Sequence, residues 1–230
     1  MHRLPSTLEQ RIQALSENRY LEGLDAQVLE TLAGQTHLLS YASEEIIIHE
    51  GQPGPGLFII ESGRVKIYKG SPTGREMIIA VLEKGESFNE VPVFDQKENP
   101  ANAAAVMETR LWLIAAEALR ALISDHPQAA QQIIINLSQN LRMLVNKVAE
   151  LSFYTVTARL ARLLRDLPES QLAGSGPTRM TQDDLAARVG TVREVVSRSL
   201  KELENSGAIE VQRGKIKVID RNKLFDWEYD

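Results

Sequence analysis

The sequence predicts an α+β protein: an N-terminal antiparallel β-roll, one long helix and a C-terminal winged helix-turn-helix. Three observations carry this. Between about Leu38 and Ile114, short apolar runs alternate with glycines; from Gln128 to Phe153, apolar residues recur at steps of four and three; from Thr181 to Ile219, two short helical patterns, a glycine turn and a hairpin follow in order.

Ahead of the roll, residues 7–33 carry apolar positions at helical spacing (Leu8, Ile12, Leu15, then Val28, Leu29, Leu32), interrupted at Gly23. Two short helices are expected. The roll itself is read from Glu45–His49, Leu57–Glu61, Val65–Tyr68, Met77–Leu82, Ala103–Met107 and Leu111–Ile114, with Gly51, Gly54, Gly56, Gly63, Gly70, Gly74 and Gly85 between runs. Strand-length pieces with glycine turns at this spacing form small antiparallel barrels and rolls. Gly54-Pro55-Gly56 is a tight turn on this reading; it lacks the Lys-Ser/Thr of a phosphate loop.

In the long segment Ala130, Ile134, Leu137, Leu141, Leu144, Val148 and Leu151 make the a/d repeat of a coiled-coil seam, with Gln, Asn, Arg and Lys on the other faces. An ordinary amphipathic helix buries a broader stripe than this. The seam Ile134, Leu137, Leu141, Leu144, Val148 and Leu151 therefore predicts a homodimer.

Residues 181–204 read TQDDLAARVGTVREVVSRSLKELE. Thr181 suits an N-cap, Asp183 and Asp184 suit the positive end of a helix, and Gly190 suits a turn of positive φ. A second helix from about Val192 buries Val195, Val196, Leu200 and Leu203 and exposes Arg193, Glu194, Ser197 and Arg198. Ile209–Gln212 and Ile216–Ile219, joined through Arg213-Gly214-Lys215, then form a hairpin with a basic tip. This is a winged helix-turn-helix. Arg presents a fork matching guanine O6 and N7, Glu accepts from cytosine N4, and Ser makes a lesser contact. Glu194 stands one turn before Arg198, within reach of its guanidinium. Double-stranded promoter DNA is the partner this surface predicts.

Composition sets the exclusions. The chain has no cysteine, which removes disulfides, thiolate catalysis, Cys-ligated zinc and Cys-held iron–sulfur clusters. No apolar run reaches the roughly 20 residues of a membrane span, and Glu9 and Arg11 leave no signal-peptide core, so no membrane partner and a cytoplasmic location are expected. No paired catalytic carboxylates, nucleophile elbow, metal cluster or phosphate loop argues for an enzyme. The net charge of −5 divides unevenly: residues 156–230 hold 13 Lys+Arg and 12 Asp+Glu, a balance of +1, and the remainder carries −6. So small an excess identifies no partner by itself; the pattern does.

Almost the whole chain resembles the cyclic-AMP receptor protein/FNR (Crp/Fnr) family of bacterial transcription regulators. The likeness rests on YLEGLDAQVLETLA, IIIHEGQPGPGLFIIESGRVKIYK, GESFNEVPVF, the long helix and RMTQDDLAARVGTVREVVSRSL. It implies a cyclic-nucleotide-binding-like jelly roll as sensor (residues 1–127, with the N-terminal helices), a dimerisation helix and hinge (128–155) and a winged-helix DNA-binding domain (156–230). It further implies base reading by Arg193, Glu194 and Arg198, with Glu194, Ser197 and Arg198 also fitting the E-x-x-S-R pattern of the FNR branch. Phosphate contacts fall on Thr181, Gln182 and Lys215, and Val192 departs from the family's serine. TGTGA-like or TTGAT-like half-sites and an RNA polymerase partner come with the resemblance.

The resemblance also locates an effector pocket. The family's Gly-Glu pair falls on Asn89-Glu90, its Arg-Ser pair on Pro100-Ala101, and its Thr-Ser pair on Leu144-Val145. The cation that would meet a cyclic phosphate is absent, and Leu and Val cannot hydrogen-bond a base edge. Lys97 or Arg142 would have to substitute. Glu90 equally suits a structural role, accepting backbone hydrogen bonds at the edge of the roll. The expectation is a small-molecule effector other than cyclic AMP, largely apolar, or none. The cofactor is open: haem stays among the alternatives, with His2, His37, His49 and His126 as the available imidazoles, although each also suits a surface or packing role. A cyclic-nucleotide-responsive regulator and a haem-based gas or redox sensor of the same family are the alternatives. A pure nucleotide-binding module with a vestigial helix-turn-helix fits less well, because the pocket is the eroded part.

Overall fold

The runs Leu57–Ile60 and Leu111–Ile114 are apolar at every position, which a strand requires only when both its faces are buried. They are. The computed structural model describes residues 2–72, 74–173, 180–212 and 214–227. The chain divides into two compact units, Met1–Lys69 with Ile79–Arg142, and Gly70–Ile78 with Met143–Asp230.

In chain order the first part comprises β1 (His2–Leu4), α1 (Leu8–Ser16), α2 (Ala26–Gly34), β2 (Thr36–Tyr41), β3 (Ile46–Ile48), β4 (Gly56–Ser62), β5 (Val65–Gly70), β6 (Glu76–Leu82) and β7 (Ser87–Phe88). Then come α3 (Glu90–Asp95), β8 (Asn102–Ala105), β9 (Thr109–Ala115), α4 (Ala116–Asp125) and the long helix α5 (Pro127–Phe153). Two antiparallel sheets, ordered β1-β2-β9-β4-β7 and β3-β8-β5-β6, make the roll. Alternation along the strands sorts the side chains. Leu39, Tyr41, Phe58, Ile60 and Leu111 join Ile48, Val65, Ala103 and Ala105 in one core, where Phe58 and Phe88 stack with centroids 5.1 Å apart. Leu38, Leu57, Ile59, Trp112 and Ile114 face the other way, onto a core shared with α1, α2, α4 and Ala129 and Ile133 of α5. A slip of one residue would exchange the two sets, so register is strongly specified. Gly63 makes the β4–β5 turn at φ +92°, where a Cβ would lie 2.6 Å from the Glu108 carbonyl oxygen. Only glycine fits there.

The second part comprises α6 (Val156–Asp166), α7 (Glu169–Leu172), α8 (Gln182–Val189), α9 (Arg193–Asn205), β10 (Ile209–Gln212), β11 (Lys215–Val218) and α10 (Arg221–Asp226). Leu160, Leu164, Leu185, Val189, Val196, Leu200, Leu203, Ile209 and Ile216 form its core.

The expected strands are present with ends shifted by at most two residues, and the long helix begins one residue earlier than read. Several elements are additional to the sequence reading: β1, β2, β7, α3, α4, α6, α7 and α10. The Gly174-Ser175-Gly176 loop and the Arg213 position of the wing lie outside the described residues. No helix among the described residues is long and apolar enough to cross a membrane.

Candidate nucleic-acid interface and effector site

Local chemistry builds the C-terminal surface. Thr181 caps α8 with a reciprocal pair of bonds: its Oγ1 accepts from Asp184 N–H at 3.2 Å, and its own N–H donates to Asp184 Oδ2 at 2.8 Å. Its hydroxyl also donates to the same carboxylate at 2.7 Å. Thr181 is therefore committed to the helix, and a phosphate contact there draws on a hydroxyl already in use. Thr181→Ala is expected to lower the stability of this unit by about 1 kcal/mol. Chemical denaturation reads it; an unchanged midpoint contradicts the cap.

Gly190 ends α8 at φ +72°, ψ +46°, and Thr191 N–H donates to the Ala186 carbonyl at 2.9 Å. The turn leads into α9, whose N-cap Val192 has no side chain able to cap. Arg193, Glu194, Ser197 and Arg198 are all exposed on α9, while Val196, Ser199, Leu200 and Leu203 are buried. Val195, expected in the buried set, is half-buried. Arg193 Nη1 lies 3.6 Å from Asp183 Oδ2, an exposed pair across the turn. Such pairs contribute between 0 and about 1 kcal/mol, so the guanidinium is readily released. No ion pair joins Glu194 to Arg198 among the described residues, which leaves both heads to meet a partner directly. On the opposite side of α9, Ser199 Oγ meets Thr157 Oγ1 of α6 at 2.8 Å, and the Thr157 hydroxyl bonds to Glu202 Oε2 at 2.7 Å. This buried polar clasp, which the sequence reading missed, sets the rotation of α9 and so which residues face outward.

The wing pairs Ile209 with Val218 and Gln212 with Lys215. Ile209 and Ile216 anchor it in the core, leaving Gln212, Lys215 and Lys217 exposed. At the base of the unit Arg159, almost fully buried, donates from Nη1 to the Leu151 carbonyl at 3.1 Å and caps the end of α5. Burial holds its guanidinium below the usual arginine range.

The pocket residues are placed differently from one another. Asn89 sits at φ +75°, ψ +23° and donates from Nδ2 to the Gly56 carbonyl at 2.7 Å. Asparagine tolerates that left-handed conformation better than most residues. Glu90 opens α3, and its Oε1 accepts from the Tyr20 hydroxyl at 3.1 Å and from Asn140 Nδ2 at 2.6 Å. The donors to this carboxylate are thus side chains from distant segments, not the backbone groups expected at the roll's edge. Arg19 joins the same cluster, donating from Nη2 to Asn140 Oδ1 at 3.1 Å, with its Nε buried and without a partner. The Pro100 carbonyl accepts from Lys69 Nζ at 2.9 Å, and Lys69 also pairs with Glu50. Ala101 is half-buried, and Lys97 and Arg142 are exposed. Leu144 and Val145 are exposed residues of the second unit. Tyr20, Arg19 and Asn140 are the site residues that sequence reasoning missed. His37 accepts a bond from Arg3 at 2.8 Å, and among the described residues no group of three His, Cys, Asp or Glu side chains converges.

Along α5 the seam residues Ile134, Leu141, Leu144 and Val148 are exposed, Leu141 at 62% and Val148 at 63%. Leu137 and Leu151 are half-buried, Leu137 against the protomer's own core.

A β-roll joined through a long helix to a winged helix-turn-helix with an outward Arg-Glu-x-x-Ser-Arg surface defines a DNA-binding transcription regulator. Residues 38–126 match the cyclic nucleotide-binding domain family and residues 158–227 the Crp-like helix-turn-helix domain family. The chain belongs to the Crp/Fnr family. It is 32% identical over 199 residues to the cAMP-activated global transcriptional regulator Vfr of Pseudomonas aeruginosa, covering 83% of this chain and 92% of that one. Identity to the CRP-like cAMP-activated global transcriptional regulator of Mycobacterium tuberculosis is 29% over 208 residues, covering 88% and 93%. Among solved structures, the c-di-GMP responsive global regulator CLP of Xanthomonas campestris is 26% identical with a TM-score of 0.71, covering 84% of this chain and 99% of that chain.

Proposed function

We propose that the protein is a homodimeric Crp/Fnr regulator that binds a two-fold symmetric operator and answers to an effector other than cyclic AMP. Arg193, Glu194, Ser197 and Arg198 read base edges, Thr181, Gln182 and Lys215 hold phosphates, and Ile134, Leu137, Leu141, Leu144, Val148 and Leu151 of α5 form the dimer seam. RNA polymerase is the expected partner at the promoter, in the cytoplasm. The division of labour follows: residues 1–127 sense, 128–155 pair and transmit, 156–230 bind DNA.

The observation that carries the effector reading is the state of the pocket positions. Pro100 and Ala101 supply no cation or hydroxyl, and Glu90 is already bonded to Tyr20 and Asn140. A buried phosphate without a charged partner is costly. The relatives argue for the second reading, cyclic-nucleotide control, since two of them are named as cAMP-activated. Arg19, a cation beside Glu90 with one unpartnered N–H, is the residue that would serve it.

Titration calorimetry with cyclic AMP, with and without operator DNA, separates the two. No binding tighter than about 100 μM, near −5.5 kcal/mol, is expected. Tighter binding overturns this reading and makes Arg19, Lys97 or Arg142 the substitute phosphate partner.

A further inference from the structure

The first unit holds a closed polar cluster that DNA recognition does not use. Its members come from three places in the chain: the segment after α1 (Arg19 and Tyr20), the start of α3 (Glu90) and α5 (Gln132, Asn136 and Asn140). Two donors converge on Glu90 Oε1, the Tyr20 hydroxyl at 3.1 Å and Asn140 Nδ2 at 2.6 Å. Asn140 uses both ends of its amide, because its Oδ1 accepts from Arg19 Nη2 at 3.1 Å. It thereby bridges a carboxylate and a guanidinium whose charges offset each other. The backbone joins in as well: Asn136 Nδ2 and Gln132 Nε2 donate to the Arg19 carbonyl at 2.9 and 3.2 Å. Tyr20 is 1% exposed, and burial, then the Glu90 charge, pushes its phenol well above the usual range, so it remains a proton donor.

We propose that Tyr20 and Asn140 are specificity-determining residues of the sensor: they occupy the Glu90 carboxylate from within the chain, clamp α5 to the roll without a small molecule, and refuse a ligand hydroxyl at that carboxylate. The inference rests on reading the first unit as the sensor. The physical reason is competition. A ligand hydroxyl reaching Glu90 Oε1 has to displace donors that are already positioned, and it leaves the buried Tyr20 hydroxyl, which also accepts from Asn140 Nδ2 at 3.3 Å, without its acceptor. A site whose polar groups are satisfied internally discriminates against ligands by that difference. On α5 the clamp acts through Gln132, Asn136 and Asn140, which alternate with the first seam positions Ile134, Leu137 and Leu141, so it bears on the placement of that stretch.

Two measurements on the full chain test this. The first is amide hydrogen exchange of wild type, Tyr20→Phe and Asn140→Ala. Exchange over residues 133–142 is expected to rise roughly 10-fold in Asn140→Ala and less in Tyr20→Phe, with residues 182–205 unchanged. Unchanged exchange over 133–142 overturns the clamp. The second is calorimetry of the Tyr20→Phe/Asn140→Ala double variant with cyclic AMP and with 2′-deoxy cyclic AMP. A released Glu90 is free to accept the ribose 2′-hydroxyl, so it is expected to improve cyclic AMP affinity by about 10-fold over wild type and to leave the 2′-deoxy analogue, which lacks that donor, unimproved. No improvement, or equal improvement for both nucleotides, overturns the specificity role. Neither readout involves DNA, so a failure of operator binding leaves both results interpretable.

Discussion

Leu141→Lys is expected to turn the protein into a monomer and to abolish operator binding. Leu141 is 62% exposed and belongs to none of the three cores, so the substitution leaves the folded chain's own packing intact. Across the proposed two-fold seam, however, the two substituted positions would meet, with two ammonium groups facing each other in an apolar interface. Desolvating them without a partner costs several kcal/mol, enough to dissociate a dimer at micromolar concentration. Analytical ultracentrifugation reads the first outcome and a gel shift the second, with circular dichroism showing that the chain still folds. Leu137→Lys is the instructive contrast: Leu137 packs on the protomer's own core, so it should unfold the first unit as well. A wild-type protein that is monomeric at micromolar concentration contradicts the seam.

Arg198→Ala is expected to cost roughly 1–3 kcal/mol per half-site and to relax discrimination at one base pair. The side chain is exposed and carries no ion pair among the described residues, while the clasp to α6 is made by its buried neighbour Ser199. Its removal therefore deletes a contact without moving the helix. Lys215→Ala, in the wing, should weaken all sequences alike and reduce the salt dependence by about one counterion. Competition binding with single-base operator variants at two salt concentrations distinguishes them. A uniform loss on Arg198→Ala would make that residue a phosphate contact.

The parts of the fold legible in the sequence are those whose cause is local. The two-sided burial of β4 and β9 leaves continuous apolar runs, and Thr181, Asp184 and Gly190 announce the ends of α8 at fixed spacing. Elements without such signals were missed. β9 passes into α4 at Ala115-Ala116 with no turn residue between them, so the change from strand to helix leaves no mark. In α6, Arg159 interrupts the apolar pattern because it is buried for a reason that lies eight residues upstream, at the Leu151 carbonyl. The proposed DNA surface was readable because its four candidate side chains stand on one helix. The Glu90 cluster was not: its partners stand 70 and 50 residues away in sequence, at Tyr20 and Asn140, and only the folded chain brings them together. For Glu90 the sequence offers a pocket role or backbone donors, and the donors found are instead the side chains of Tyr20 and Asn140. Leu137 shows the same limit, since the repeat that places it on the seam says nothing about the core it also touches.

The most direct measurement is selection of bound sequences from random duplexes by the wild-type protein without added ligand. The account predicts a two-fold symmetric site whose half-site centres lie roughly 34 Å apart, the spacing at which a dimer lays two copies of α9 into successive major grooves on one side of the helix. Enrichment of an asymmetric site would contradict it.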